Sequence, residues 1–311
     1  MTNASPSDDR ENQNRGREAA RVKARTLREK QKKKEKRGRA ILQGGIAVAV
    51  VAALAIIAII IVGSVRPPVS GPKNMASDGI VIGSGLKAKK TQALPPTAEP
   101  VASTPDATGS VVTIRLYVDY FCRTCGQFAR ANGKEIGELA KSGAVTVEVH
   151  PIALLSSLSS GTRYSLRAAN AAACVADKAP NSFYRFHLLL FEHQPKESSS
   201  GLTDDQLKSY VTKSGASHRH SIERCIDDGR FKTWVQAATD RAVAGPIPNS
   251  DLKPSKLDAT PLVIVNGKHY KGSLTSARDF KSFVLQASGE TYQASTASPV
   301  PTPTATAEPQ D

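Results

Sequence analysis

The stretch from Val111 to Phe128, VVTIRLYVDYFCRTCGQF, contains the change of period that decides the fold. Val112, Ile114, Leu116 and Val118 alternate with Thr113, Arg115 and Tyr117, which is the two-residue repeat of a β-strand with at least one buried face. Beyond the two cysteines, Phe128, Ile136, Leu139 and Ala140 recur at helical spacing as far as Ser142-Gly143. Val145, Val147 and Val149 then restore the strand alternation. A strand, a helix and a strand of these lengths make the parallel crossover of an α/β sheet, and Cys122 and Cys125 sit where the first strand turns into the helix.

That position gives the cysteine pair its chemistry. At a helix start the first sulfur is surrounded by unpaired backbone N–H groups and by the positive end of the helix dipole, both of which favour thiolate over thiol. One turn separates the two sulfurs. Cys122 is therefore expected to be exposed and nucleophilic, and Cys125, a turn deeper, to resolve a mixed disulfide. A C-x-x-C pair also reads as half of a zinc site or as an inert structural bridge. The other half of a zinc site is missing: Cys174 and Cys225 are far apart with no cysteine neighbour, and His218 and His220 are too closely spaced for the usual finger pattern. No metal and no cofactor is expected.

Four cysteines allow three pairings. Cys174 and Cys225 each fall inside a helical segment, and a bridge between them would close a loop of about 50 residues, stabilising the fold by roughly 2 to 4 kcal/mol. We expect this structural disulfide.

From about Ser156 to Gly245 the pattern is almost wholly helical. Ala168 to Ala173 is Ala-rich, Phe183 to Phe191 is apolar and aromatic, and Thr203-Asp204-Asp205-Gln206 has the spacing of a capping box. Ile222 to Ile226 and Phe231 to Val243 continue the series. Strand character returns at Pro261 to Val265, followed by Asn266-Gly267, a strong hairpin signal, with Tyr270 on the return strand. A last helix is expected over about Ala277 to Leu285. The sheet is thus interrupted by a helical insertion over about 156–245.

The chain carries a net charge of +14, much of it concentrated in residues 1–43, a polar basic tail that cannot form a core. Residues 44–65, GGIAVAVVAALAIIAIIIVGSV, contain no charge. At about 1.5 Å per residue they span ~33 Å, which fits a bilayer core of roughly 30 Å and predicts one transmembrane helix. The run is too long for the apolar region of a cleavable signal peptide. Lys and Arg crowd its N-terminal flank, so the N-terminus is expected in the cytoplasm and everything beyond Arg66 outside the cell membrane. A nucleic-acid arm is disfavoured, because the tail lacks interleaved aromatics and its place beside an anionic leaflet accounts for its charge. Residues 66–110 have the Pro, Ala and Ser content of a linker, with a short strand expected at 79–82. The core domain is expected over 111–289 and a disordered Pro/Thr/Ala-rich tail over 290–311.

The order of VVTIRLYVDYFCRTCGQF, NAAACVAD, FYRFHLLLFEHQP and ATPLVIVNGKHYKG resembles the DsbA-like thiol-disulfide oxidoreductases of the thioredoxin superfamily, in particular the membrane-tethered members in Gram-positive bacteria. The resemblance implies a thioredoxin fold with a helical insertion domain, with Cys122 as nucleophile and Cys125 as resolving thiol. It implies that Pro261, after Thr260, is a cis-proline packed against the disulfide, with the Thr260 backbone turned to pair with an extended substrate. Asp119 matches a common family position and is a candidate proton shuttle. The sequence departs from many relatives at Arg123 and Thr124, where a fixed cation and a hydroxyl would both favour the thiolate. The implied activity is disulfide donation to reduced exported proteins, with reoxidation by a quinone-linked membrane partner of the DsbB or vitamin K epoxide reductase kind. A reductase or isomerase using the same site, and a tethered binding module with an inert disulfide, are the alternatives.

Overall fold

The computed structural model describes residues 70–106 and 110–296. In the N-terminal unit, Met1–Pro67, it describes only Lys23, Lys30, Lys33 and Lys34, which are helical and exposed. The transmembrane helix expected over 44–65, nearly all of the basic tail and the chain beyond 296 lie outside the described residues. Among the described residues no helix is long and apolar enough to cross a membrane.

Six strands, β1 (Ile80–Gly83), β2 (Lys87–Ala88), β3 (Val112–Val118), β4 (Val145–Pro151), β5 (Leu262–Val265) and β6 (Lys268–His269), form one sheet in the order β2-β1-β4-β3-β5-β6. β3 and β4 are parallel, with Ile114 beside Val147 and Leu116 beside Val149, and helix α1 (Arg123–Ser142) makes the crossover between them. α1 stops at Gly143, whose φ of 88° is left-handed and whose N–H reaches the carbonyls of Ala140 and Leu139. β5 runs antiparallel to β3 and turns into β6 through Asn266 and Gly267, both at positive φ, the backbone that a tight Asn-Gly hairpin requires.

Both faces of the sheet are covered. Ile114, Leu116, Val147, Val149 and Val263 point into the main core with Phe128 and Ile136 of α1, each burial of this kind stabilising by roughly 1.5 to 3 kcal/mol. The opposite face, where alternation places Arg115 and Tyr117, is buried too. Tyr117, Leu262 and Ile264 pack there against Ile152, Ile247 and Leu257. Beside them Arg115 donates from Nε to Glu148 Oε2 at 2.7 Å, and Glu148 also accepts the Ser77 and Ser103 hydroxyls at 2.6 Å each. Burial alone would raise the Glu148 pKa, but His150, Arg115 and Ser103 outweigh it and hold the carboxyl well below its usual range.

Ser77 and Ser103 belong to the segment read from composition as a linker. Much of that segment is instead packed: Met75, Ile80 and Ile82 are buried, β1 pairs with β4, and Asp78 takes a two-pronged bond from Arg241 at 2.7 Å. Its anchors are hydroxyls and one carboxylate meeting charged groups distant in sequence, and these leave no local hydrophobic period.

Between β4 and β5 lie α2 (Tyr164–Lys178), α3 (Phe183–Glu192), α4 (Asp204–Lys213), α5 (Arg219–Asp227) and α6 (Lys232–Ala244). The small residues from Ala168 to Ala176 let α2 be buried on nearly every side. Thr203 and Gln206 close a reciprocal capping box at the start of α4. Cys174 of α2 and Cys225 of α5 are joined by a disulfide with Cα atoms 5.9 Å apart. The last helix, α7 (Ala277–Thr296), buries Phe280, Val284 and Ala287 and continues past both Leu285 and the boundary expected at 289, through Gly289, where the apolar period has already ended.

Candidate active site

β3 ends at Val118, and Asp119 to Phe121 turn the chain into α1. Cys122 is the N-cap of that helix: its backbone is extended, its N–H reaches the Asp119 carbonyl at 3.0 Å, and its Sγ accepts the Cys125 N–H at 3.2 Å. Thr124 Oγ1 lies 3.0 Å from Cys122 Sγ. From the segment before β5, the Thr260 carbonyl approaches Cys122 Sγ to 3.3 Å and accepts the Thr124 hydroxyl at 3.0 Å. The Thr260–Pro261 bond is cis. Cys122 and Cys125 are free thiols, whereas Cys174 and Cys225 are paired with each other away from this cluster. Their pairing also removes Cys225 as a zinc ligand beside His218 and His220.

The expectation of an exposed Cys122 is corrected, since the residue is only 4% exposed and Cys125 is fully buried. The turn before β5 brings Thr260 over the sulfur from 138 residues away, and Thr124 meets the same carbonyl. Despite this burial the Cys122 pKa is lowered to about 6. The hydrogen bond from Cys125 contributes most; burial opposes it, and the Thr124 and Thr260 side chains with the Cys125 N–H add to it. Cys125 moves the other way, raised well above an ordinary thiol by burial and then by the Cys122 sulfur beside it. Arg123 is exposed, and Thr124 is the residue between the two cysteines whose side chain meets the Cys122 sulfur. Asp119 is fully buried, accepting the Phe121 N–H at 2.8 Å and the Leu155 N–H at 2.9 Å. Burial raises its pKa to about 6, against the pull of those two bonds.

Residues 105–284, more than half of the chain, match the family model described as thioredoxin. The chain belongs to the thioredoxin family. Oxidised DsbA from Mycobacterium tuberculosis is 26% identical with a TM-score of 0.51, covering 70% of this chain and 100% of that one. The reduced form of the disulfide bond oxidoreductase DsbG from the same organism is 25% identical with a TM-score of 0.50, covering 71% of this chain and 95% of that one. No curated protein sequence matches the chain. Within the thioredoxin family this protein is a DsbA-like thiol-disulfide oxidoreductase.

Several groups of this thioredoxin-family site were not marked in the sequence. Gln194, just after α3, donates from Nε2 to the carbonyls of Cys122 at 2.8 Å and Tyr120 at 3.1 Å. Gly126 makes room for it, since a Cβ at that position would stand 2.0 Å from Gln194 Oε1. Glu197 Oε1 accepts the Arg123 N–H at 2.7 Å. Beneath Tyr120, His187 Nδ1 lies 3.1 Å from the tyrosine oxygen within a box of Phe183, Tyr184 and Phe191, and burial lowers its pKa to about 3, so it is neutral. The polar run His193-Gln194-Pro195-Lys196-Glu197 is the one sequence sign of this loop, and nothing in it points to α1.

Proposed function

We propose that this oxidoreductase donates disulfides to reduced proteins outside the cell membrane, with Cys122 as the exchanging sulfur and Cys125 as the resolving thiol. The observation that carries the reading is the unlike setting of the two sulfurs: Cys122 Sγ accepts the Cys125 N–H at 3.2 Å with the Thr124 hydroxyl 3.0 Å away, which favours a thiolate, while Cys125 is fully buried, which favours a thiol. In the forward step a substrate thiolate attacks Cys122 of the Cys122–Cys125 disulfide. A substrate–Cys122 bond forms, the Cys122–Cys125 bond breaks, and Cys125 leaves as a thiolate that takes up a proton. The second substrate thiolate then attacks the substrate sulfur of the mixed disulfide, closing the substrate's own disulfide and releasing Cys122 as a thiolate. Two electrons pass from substrate to enzyme. Because the released thiolate is stabilised, the equilibrium favours reduced enzyme and oxidised substrate.

In this reading Asp119 is the proton donor and acceptor for Cys125: its main chain meets the Cys125 thiol, and burial raises the pKa of its carboxyl to about 6. The Thr260 main chain, next to Pro261 and within reach of Cys122, offers an edge for an extended substrate segment. The uncharged run 44–65 with its basic N-terminal flank supports a single membrane anchor that leaves the catalytic domain outside the cytoplasm. A quinone-linked membrane protein of the DsbB or vitamin K epoxide reductase kind supplies the two-electron oxidant that restores the disulfide. The test is the Cys125→Ser variant expressed with its exported substrates. It accumulates mixed disulfides through Cys122, whereas Cys122→Ser does not. If neither variant traps a partner and the purified protein fails to oxidise a reduced model protein, the proposal is wrong.

A further inference from the structure

We propose that Glu197 sets the redox poise of the Cys122–Cys125 pair, by placing a carboxylate on the same helix end that stabilises the Cys122 thiolate. The inference rests on Cys122 being the exchanging sulfur. The first N–H groups of α1 are divided between two acceptor residues. Cys125 N–H goes to the Cys122 sulfur, Gly126 N–H to the Cys122 carbonyl, and Arg123 N–H, adjacent in the chain to Cys122, to Glu197 Oε1 at 2.7 Å. A thiolate and a carboxylate therefore share one positive helix terminus. Each benefits from the helix end, and each disfavours the other as a like charge.

The carboxylate is held there by a built contact. Three residues earlier, Gln194 clamps the same loop to the carbonyls of Tyr120 and Cys122, and Gly126 leaves the space that this approach needs. The titratable and charged groups placed near Cys122 include Cys125 and Arg123 of α1, Asp119 after β3, and Glu197, with Lys196 before it, in the loop after α3. The segment before β5 contributes the uncharged Thr260. Glu197 is the anion among them that touches the helix end from the solvent side, where removing its charge leaves the core undisturbed. Its effect is to make the thiolate, and with it the dithiol form, less stable than the bare helix end would allow. The pair is then a weaker oxidant and is more readily reoxidised.

The experiment compares wild type, Glu197→Gln and Glu197→Ala in the pH profile of Cys122 alkylation and in the equilibrium with reduced and oxidised glutathione. Gln keeps an oxygen for the Arg123 N–H and loses only the charge. The expected result is a lower Cys122 pKa in Glu197→Gln and an equilibrium shifted about two- to fivefold toward reduced enzyme. The difference should shrink as salt is raised, because the carboxylate is exposed. A Glu197→Gln variant matching a wild type whose Cys122 pKa is depressed would overturn this inference alone, even if Glu197→Ala were perturbed. A wild type whose Cys122 titrates as an ordinary thiol without exchange would overturn both this inference and the proposed function.

Discussion

Replacing Thr124 by Val tests which group stabilises the thiolate of Cys122, the proposed exchanging sulfur. The Thr124 hydroxyl has one proton and two neighbours, Cys122 Sγ and the Thr260 carbonyl, each at 3.0 Å. While Cys122 is a thiol, the hydroxyl donates to the carbonyl. Once the thiolate forms, the same proton is better placed on the sulfur. The gain is the difference between a bond to a charged acceptor, about 1.5 to 3 kcal/mol, and one to a neutral acceptor, about 0.5 to 1.5 kcal/mol. That difference is close to 1.4 kcal/mol, or about one pKa unit, and Thr124 is exposed, so solvent makes this an upper figure. Thr124→Val should therefore raise the Cys122 pKa from about 6 toward about 7. At pH 7 the stabilisation of the dithiol form through its thiolate then falls about fivefold, which makes the pair roughly 20 mV more reducing at ~30 mV per tenfold. The assays are alkylation rate against pH and equilibration with glutathione. An unchanged or lowered pKa would refute the argument, and a raised pKa with an unchanged equilibrium constant would break the link between the two.

The dithiol protein should gain stability as pH rises. A Cys122 pKa depressed from 9.0 to about 6 adds stability that is present above the unfolded value and lost as pH falls through the folded one. Denaturant unfolding of reduced wild type, set against Cys122→Ser, should show no thiolate contribution below about pH 6 and on the order of 1 kcal/mol by pH 7. Arg115→Met should cost about 3 to 5 kcal/mol, because it takes the guanidinium from the buried Glu148 carboxylate and leaves it only the His150 ring and the Ser77 and Ser103 hydroxyls. Replacing Arg115 and Glu148 together by apolar residues of similar size should recover most of that loss, and a double variant as unstable as Arg115→Met would contradict this.

What was legible in the sequence was what is local. The joint of strand and helix at Cys122, the capping box at Thr203, the Asn266-Gly267 hairpin and the helical run after β4 each rest on neighbours a few residues apart. What was not legible depends on distant partners. Nothing local to Arg115 signals its burial, because its partner, Glu148, lies 33 residues on, although the parallel register puts the two side by side. The 66–110 stretch looked like a linker because Ser77, Asp78 and Ser103 hold it through polar bonds to the sheet and α6. A helix start also predicts a thiolate without saying what will cover it, so the burial of Cys122 beneath Thr260 could not be read from the motif.

That burial bears on how the site drives oxidation in the proposed function. Water would solvate an exposed thiolate with mobile donors that reorient at no structural cost when the charge disappears. At Cys122 they are replaced by the Cys125 N–H, held by the helix, and by the Thr124 hydroxyl, and in the reduced pair by the Cys125 thiol itself. These donors offset the desolvation of the anion, since the net shift is downward in spite of burial. When the two sulfurs join, the anion and the thiol donor vanish together, while the backbone N–H still points at a sulfur that accepts only weakly. The oxidised site therefore keeps a preorganised polar environment with no charge to serve. Giving the disulfide away restores the charge to it. On the proposed function, the drive to oxidise a partner resides in groups positioned by the fold, and Thr124 and the proposed Glu197, outside the cysteine pair, are the positions that adjust it.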